Sequence, residues 1–263
     1  MLRRVVRMLG WFSKYVFLGP VQRKLCQRGV LILTYHRIGR PSRHVPDPFL
    51  YDTTDELDAH LTAVKKAGLR LTLFTEAFSG GPIEPGIATV TFDDGCLCTL
   101  EQAVPVLARH QVRAIQYLVA GRIGGRNDWD LPKEDVPERL MDLAQIREWI
   151  AAGHAVGSHT ITHRNLKTLN LPEAREEISG SKKILEDLLG VPVRHFCYPY
   201  GNWTSQVIRD LVEEAGYLSA CTTRFGVAQP DRDRWTMPRI TPLPAWQLIE
   251  KAWHRARRRF QGL

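Results

Sequence analysis

The sequence predicts an α/β protein whose mostly parallel sheet is most naturally curled into a barrel. Short apolar runs rich in β-branched residues alternate with helix-like segments along the 263 residues, and this alternation is typical of parallel sheets. A hydrophobic content of 44% is enough for a sizeable core. In such a barrel, reactive side chains are expected at the carboxyl ends of the strands.

The elements follow from short apolar runs and from the residues that end them. The predicted strands are 30–35, 69–74, 87–92, 113–119, 155–158, 194–198 and 218–222. The predicted helices are 54–67, 99–110, 143–152, 172–189 and 205–215, with a last helix that begins near Pro244. Glycine follows several of these helices, as at Gly68, Gly153 and Gly190, where the left-handed conformation ends a helix without steric cost.

The net charge of +8 is unevenly distributed along the chain. Residues 1–29 contain seven Lys or Arg and no acid, whereas residues 30–249 contain 24 basic and 27 acidic residues. We therefore divide the chain into a basic N-terminal segment (1–29), a central domain (30–245) and a basic C-terminal helix (246–263). No zinc-finger spacing or RNA-recognition signature accompanies the basic ends, so nucleic acid is not an expected partner.

The basic ends point to a membrane surface. Residues 1–18 form an amphipathic pattern with the basic residues in one sector, which suits a helix lying on anionic lipid; packing on the domain is the alternative. Lys14 interrupts the apolar run, so a spanning helix is not predicted. Five cysteines and no signal-peptide pattern favour a cytoplasmic protein, attached peripherally to the inner membrane. Export is the alternative.

The apolar run 87–92 ends abruptly in Asp93, Asp94 and Gly95. Adjacent carboxylates repel, and holding both in one cleft costs free energy unless a cation or a proton is shared. An ordinary solvated turn is the alternative interpretation.

Histidines follow two other predicted strands. His36 follows the first strand, and His159 and His163 follow the short strand 155–158. One helical turn would place the imidazoles of His159 and His163 on the same side. With a carboxylate from another strand, they would form an open two-His, one-Asp site for a divalent metal. Two surface histidines are the alternative.

Three segments together resemble carbohydrate esterase family 4, the polysaccharide deacetylases that share the nodulation-protein-B homology domain. They are Thr91-Phe92-Asp93-Asp94-Gly95, Ser158-His159-Thr160-Ile161-Thr162-His163 and Tyr198-Pro199-Tyr200-Gly201. The resemblance spans roughly residues 30–242. It implies a distorted, partly open (β/α) TIM-like barrel with about seven parallel strands, and metal-dependent removal of N- or O-acyl groups from sugars.

The resemblance also implies roles for individual residues. Asp93 matches the family's catalytic base, and Asp94, His159 and His163 match its metal ligands. A backbone N–H at Tyr200 matches the donor that holds the developing oxyanion. This division is chemically sensible, because a metal-bound Asp94 leaves Asp93 free to take a proton from the attacking water.

Two positions depart from the pattern of many family members. Cys197 stands where an arginine usually orients the base, and we expect Arg239, from a late strand, to replace it; a surface arginine is the alternative. The C-terminal Leu-x-His motif that carries the acid is absent. The segment Thr34-Tyr35-His36-Arg37 resembles a permuted branch of the family, so His36 is the expected acid. A histidine buried and hydrogen-bonded at a strand end is the alternative.

The sequence thus predicts a metal-dependent deacetylase acting on an amino sugar in a polysaccharide or a lipid-linked glycan. Zn²⁺ suits the ligand set best, and Co²⁺, Ni²⁺ and Fe²⁺ also fit. Trp129 and Trp203 are candidates for stacking on sugar rings. A non-catalytic carbohydrate-binding barrel and a hydrolase of non-sugar amides are the alternatives.

Overall fold

The computed structural model describes residues 26–41, 50–129, 137–201 and 205–242. The predicted N-terminal amphipathic helix, the predicted C-terminal helix 246–263 and Trp203 lie outside these residues. Among the helices within them, none combines the length and apolar character needed to cross a bilayer.

Seven parallel strands form the barrel. They are β1 (Val30–Tyr35), β2 (Ile87–Phe92), β3 (Ala114–Leu118), β4 (Ala155–Ser158), β5 (His195–Cys197), β6 (Ser219–Phe225) and β7 (Met237–Arg239). Each strand pairs with the next in this order. Ile240 then returns to β1, because Thr34 N–H donates to its carbonyl (3.0 Å) and its own N–H donates to the Ile32 carbonyl (2.8 Å). The barrel is therefore nearly closed, and the predicted fold class is confirmed.

Helices connect the strands and cover the barrel. They are α1 (Thr54–Lys66), α2 (Phe74–Ala77), α3 (Val104–His110), α4 (Leu143–Ala151), α5 (Leu171–Arg175), α6 (Ser181–Leu189) and α7 (Gln206–Glu214). π-helical turns at Thr99–Ala103 and Glu176–Gly180 lead into α3 and join α5 to α6. Three short strands, Arg37–Ile38, Tyr51–Asp52 and Arg70–Leu71, and three 3₁₀ turns, Ala120–Arg122, Leu166–Thr168 and Pro199–Gly201, complete the described elements.

Local chemistry explains why α1 begins and ends where the sequence predicts. Thr53 Oγ1 accepts from the Glu56 N–H (3.2 Å), and Glu56 Oε2 accepts from the Thr53 N–H (2.9 Å), which is a capping box. Gly68 follows the helix with φ 76°, a conformation that favours glycine. One face of α1 is buried, with Leu57, Leu61 and Val64 at helical spacing.

The strand predicted over 69–74 is wrong. Only Arg70–Leu71 is extended, beside the start of β2, and Phe74 begins α2 instead. Phe74 is buried in the same apolar cluster as Val30 and Ile87, at the amino ends of β1 and β2. Leu69, Leu71 and Leu73 alternate with Arg70 and Thr72, a pattern that predicts a strand. The burial of Phe74 among tertiary partners overrides this local pattern. The seventh barrel strand is β7, at the late position expected for Arg239.

The barrel interior is apolar towards the amino ends of its strands. Alternate residues of β1, Val30 and Ile32, pack in one cluster with Tyr117 of β3 and Met237 of β7. The intervening residues of β1 belong to a second cluster that includes the inner faces of the helices. The barrel is thus a packed core, and the polar site described below lies at its carboxyl ends.

A buried histidine joins α4 to the barrel. His154 stacks on Trp149 of α4 (ring centroids 4.2 Å apart), and its Nδ1 accepts from the Ala114 N–H of β3 (3.1 Å). Burial, together with the positive charge of Arg113, lowers the pKa of His154 to about 4. The folded protein therefore keeps this imidazole neutral over a pH range in which the unfolded chain would protonate it.

We predict that His154 makes the fold sensitive to acid. Between pH 6.5 and about pH 4, His154 is protonated in the unfolded chain but neutral in the folded protein. The free energy of unfolding should therefore fall by about 1.4 kcal/mol for each pH unit in this window from His154 alone. His154→Gln keeps an acceptor for Ala114 and should flatten the slope by about that amount in urea titrations at pH 4.5, 5.5 and 7 with chelator present. An unchanged slope in the variant would contradict this account.

Candidate active site

The two adjacent aspartates at the end of β2 face different partners. Asp94 has φ 74° and Gly95 has φ 85°, so the chain turns sharply directly after Asp93. Aspartate tolerates this left-handed conformation better than most residues. The turn allows the carboxylate of Asp93 to contact one set of residues and that of Asp94 another. The repulsion expected between neighbouring carboxylates is thereby reduced.

Asp94 lies against the two histidines of the loop that follows β4. Its Oδ1 is 3.6 Å from His159 Nε2 and 3.5 Å from His163 Nε2, and all three side chains are buried. The Nδ1 of His159 lies 2.7 Å from the Cys197 carbonyl, to which it can only donate. The Nε2 of His159 therefore carries the lone pair and faces Asp94. This donor set fits a divalent cation with one carboxylate and two imidazole ligands.

The expectation of a helical turn between the two histidines is wrong. Residues 159–163 form a loop in which Thr160 (φ 69°) and His163 (φ 61°) are left-handed. Thr160 Oγ1 accepts from the His163 N–H (3.0 Å), and the two imidazole centroids are 4.9 Å apart. The spacing correctly predicted that the rings are close, but a side-chain-stabilised loop brings them together.

Arg239 of β7 reaches Asp93, as expected from the cysteine at position 197. Its Nη1 and Nη2 donate to the two carboxylate oxygens of Asp93 at 2.8 and 2.7 Å, and both side chains are almost completely buried. Its remaining donors contact Thr91 Oγ1 (3.1 Å) and the Thr222 carbonyl (2.9 Å). Burial alone would raise the pKa of Asp93, but the charge and hydrogen bonds of Arg239 outweigh it and hold that pKa well below its usual range.

Cys197 lies beside this ion pair. Its Sγ is 3.1 Å from Arg239 Nη2 and 3.6 Å from Asp93 Oδ2. Cys197 also lies close enough to Asp93 and His159 to form an alternative metal-binding set. That set is a poorer metal site, since burial raises the pKa of the Cys197 thiol and Arg239 already occupies both oxygens of Asp93. The set built on Asp94 is therefore the better candidate.

His36, directly after β1, lies on the other side of Asp93. Its Nε2 is 3.7 Å from Asp93 Oδ2, and 22% of its side chain is exposed. Burial lowers the pKa of His36 to about 4; the negative charge of Asp93 opposes this effect and the positive charge of Arg239 adds to it. The imidazole is therefore neutral near pH 7.

Two aromatic rings flank His163. The Trp129 ring stacks on its imidazole (centroids 4.4 Å apart, planes at 23°), and Tyr200 packs edge-on (4.8 Å, 67°). Tyr200 is 41% exposed and has φ 57°. In the next position, a Cβ on Gly201 would lie 1.9 Å from Thr223 Oγ1, so only glycine fits. One face of the Trp129 ring is thus covered by the imidazole of His163.

Sequence reasoning missed Glu177, which lies in the π-helical turn between α5 and α6. Its carboxylate accepts from the backbone N–H groups of Ile161 and Thr162, inside the loop that carries the two histidines. The surrounding segment is rich in charge, and nothing in the sequence distinguishes this glutamate from its solvated neighbours. Glu177 contacts the loop from a π-helical turn, an irregularity that the sequence pattern does not predict.

Comparison with protein-family models matches residues 81–220 to the family described as polysaccharide deacetylase. A putative polysaccharide deacetylase from Bacillus subtilis is 26% identical over 155 residues, which are 59% of this chain and 51% of that protein. A chitooligosaccharide deacetylase from Azorhizobium caulinodans is 29% identical over 155 residues, 59% of this chain and 63% of its own length. The matches thus span between half and two thirds of these relatives.

Solved structures agree with the family match. IcaB from Ammonifex degensii superposes with a TM-score of 0.70 at 26% identity, covering 86% of this chain and 97% of that one. The Streptococcus pyogenes deacetylase PplD has the same fold, with a TM-score of 0.67 at 20% identity, covering 84% and 97% of the two chains. The family match contains Asp93, Asp94, His159 and His163 and covers more than half of the sequence. The chain belongs to the polysaccharide deacetylase family.

Proposed function

We propose that this protein is a metal-dependent deacetylase that hydrolyses N-acetyl or other acyl groups from an amino sugar in a polysaccharide or a lipid-linked glycan. The observation that carries the proposal is the buried contact between Asp94 and the two histidines, directly beside an Asp93 that is paired with Arg239. Similar proteins support a carbohydrate substrate, since they include a chitooligosaccharide deacetylase and a peptidoglycan N-acetylglucosamine deacetylase.

Asp94, His159 and His163 would hold the metal. A bound divalent ion would polarise the amide carbonyl and lower the pKa of the attacking water. Zn²⁺ suits two imidazoles and one carboxylate, and Co²⁺, Ni²⁺ or Fe²⁺ would fit the same ligands.

Asp93 and His36 would move the proton in the proposed reaction. The water oxygen bonds to the carbonyl carbon, the C–N bond breaks, and the leaving amine takes a proton. Asp93 is the base, held in place by both guanidinium nitrogens of Arg239. Because a carboxylate of lowered pKa holds a proton poorly, the proton passes to the neutral imidazole of His36, 3.7 Å away, which then protonates the amine. The Tyr200 N–H is the proposed donor to the oxyanion.

The substrate is proposed to be met at the cytoplasmic face of the inner membrane. Seven basic residues without an acid in residues 1–29, and five more within residues 250–263, would attract anionic lipid. A lipid-linked amino sugar is the substrate class that such a location favours.

The proposal is tested by metal analysis of the purified protein followed by acetate release from acetylated oligosaccharides and lipid-linked amino sugars. We expect stoichiometric metal and acetate release from at least one of these sugars. A metal-loaded protein that binds the sugars without releasing acetate would instead be a non-catalytic carbohydrate-binding barrel. Release only from non-sugar amides would favour a different hydrolase.

Removing the metal should abolish activity reversibly. Chelation leaves Asp93 and His36 in place but removes the ion that activates the water. We expect acetate release to stop and to return on addition of Zn²⁺ or Co²⁺, whereas Asp94→Asn should not recover, since it has lost a ligand. Full turnover by the chelated protein would contradict the proposed metal dependence.

Arg239→Met should reduce kcat/KM by about a hundredfold, because a misplaced base loses its reactive geometry. The metal ligands are not changed, so metal content should stay at the wild-type level. Arg109→Met is the matched control: Arg109 is exposed on α3 and pairs with Asp58 at the surface, where an ion pair contributes little. Equal activity of the two variants would remove Arg239 from the mechanism.

His36→Ala should keep its metal and lose nearly all turnover, since the leaving amine then lacks its proton donor. Metal analysis and steady-state kinetics on the same preparation measure the two effects. Wild-type-like turnover in this variant would assign the acid to another group.

A further inference from the structure

We propose that Glu177 is a positioning residue for the metal centre, and that its carboxylate holds the loop 159–163 in the conformation that presents His159 and His163 to the ion. This inference rests on the metal site of the proposed function. It concerns the affinity of that site for metal, which can be measured without any substrate.

The contacts of Glu177 all converge on the middle of the histidine loop. Its Oε2 accepts from the N–H groups of Ile161 and Thr162, both at 2.9 Å, and its Oε1 accepts from the Thr162 hydroxyl. The Glu177 side chain is buried. These three donors are neutral, so the carboxylate acts on the loop through hydrogen bonds to backbone and hydroxyl groups. A buried carboxylate that accepts several such bonds fixes its donors in place.

The π-helical turn Glu176–Gly180 places Glu177 against the loop. Such turns insert an extra residue into a helix and occur frequently at functional sites. Within the turn, the Ile178 carbonyl accepts from Tyr217 Oη (3.0 Å) and Ser181 Oγ (2.8 Å). Ser181 Oγ lies 2.7 Å from Ser158 Oγ, immediately before His159. One irregular helical segment therefore contacts the loop in its middle and the residue before its start.

The loop needs external support because two of its five residues are left-handed without being glycine. Thr160 has φ 69° and His163 has φ 61°. Each such residue costs about 1–3 kcal/mol and persists only where the surrounding structure determines its conformation. Gly121 N–H donates to the Ile161 carbonyl (2.8 Å) from the opposite side. A Cβ on Gly121 would lie 2.8 Å from that carbonyl, and one on Gly180 would lie 2.9 Å from Ile161 Cδ1. Gly121 and Gly180 thus both pack closely against Ile161, and the Glu177 carboxylate accepts from the backbone N–H groups in the middle of the loop.

A loop that is already ordered loses less conformational entropy when it binds metal. Without the carboxylate, the N–H groups of Ile161 and Thr162 would lose their acceptor, and other loop conformations would compete with the one that presents both imidazoles. The metal would then have to select the competent conformation, which lowers its apparent affinity. The three hydrogen bonds of Glu177 go to Ile161 and Thr162 rather than to Asp94, His159 or His163, so its proposed effect is preorganisation.

The test is the dissociation constant for Zn²⁺, measured by competition with a chromophoric chelator on the full-length protein. Glu177→Ala should weaken Zn²⁺ binding by about tenfold, in the range observed when residues supporting metal ligands are removed. Glu177→Gln keeps an amide oxygen for the two N–H groups and should restore most of the affinity. Glu176→Ala is the matched control, since Glu176 occupies the adjacent, exposed position of the same turn and should bind Zn²⁺ like the wild type.

A second measurement uses the unmodified protein and does not depend on a variant folding. In the metal-free state, the Ile161 and Thr162 amides should exchange slowly with deuterium; rapid exchange would overturn the inference. So would a Glu177→Ala protein that melts at a lower temperature but binds Zn²⁺ with the wild-type constant, or a Glu177→Gln protein as weak as Glu177→Ala. Absence of deacetylation by a wild-type protein that binds Zn²⁺ would refute the proposed function and leave this inference standing.

Discussion

The buried ion pair between Asp93 and Arg239 is the interaction on which the rest of the site depends. It joins the end of β2 to β7, two strands that are far apart in sequence and lie on either side of β1 in the barrel. Burying two charges is costly, and the cost is offset only when geometry and hydrogen bonding are complete. Here the guanidinium is fully engaged, with Asp93, Thr91 and the Thr222 carbonyl as acceptors. The conformation of Asp93 therefore depends on correct assembly of the barrel.

The same pair explains how two neighbouring carboxylates occupy one cleft. Arg239 neutralises Asp93, and the left-handed turn at Asp94 directs the second carboxylate to the two imidazoles. A cation held by Asp94 would neutralise the other charge. Both acids can then stay ionised in a buried setting, where either one alone would tend to take up a proton.

Local sequence signals predicted much of this arrangement. Gly68 at the end of α1, the apolar run of β2 and the acids after it are short-range features, and the structure has them where they were expected. Cys197, at a position where many family members have an arginine, directed attention to Arg239, and Arg239 does pair with Asp93 in the structure. Periodicity failed at Phe74, where an alternating segment predicted a strand and the structure has a short helix. It could not reveal Glu177, whose contact depends on a π-helical turn and on a loop from another part of the chain.

Closure of the barrel has a topological consequence. Ile240, directly after β7, is hydrogen-bonded to β1, so the first and last strands of the barrel are immediate neighbours. His36 follows β1 and Arg239 ends β7, and both reach Asp93 although about two hundred residues separate them in sequence. In a ring of strands, a given place beside Asp93 is accessible from either end of the polypeptide. The position of a residue in the sequence therefore says little about whether it can contact Asp93. The position of its strand around the barrel says much more.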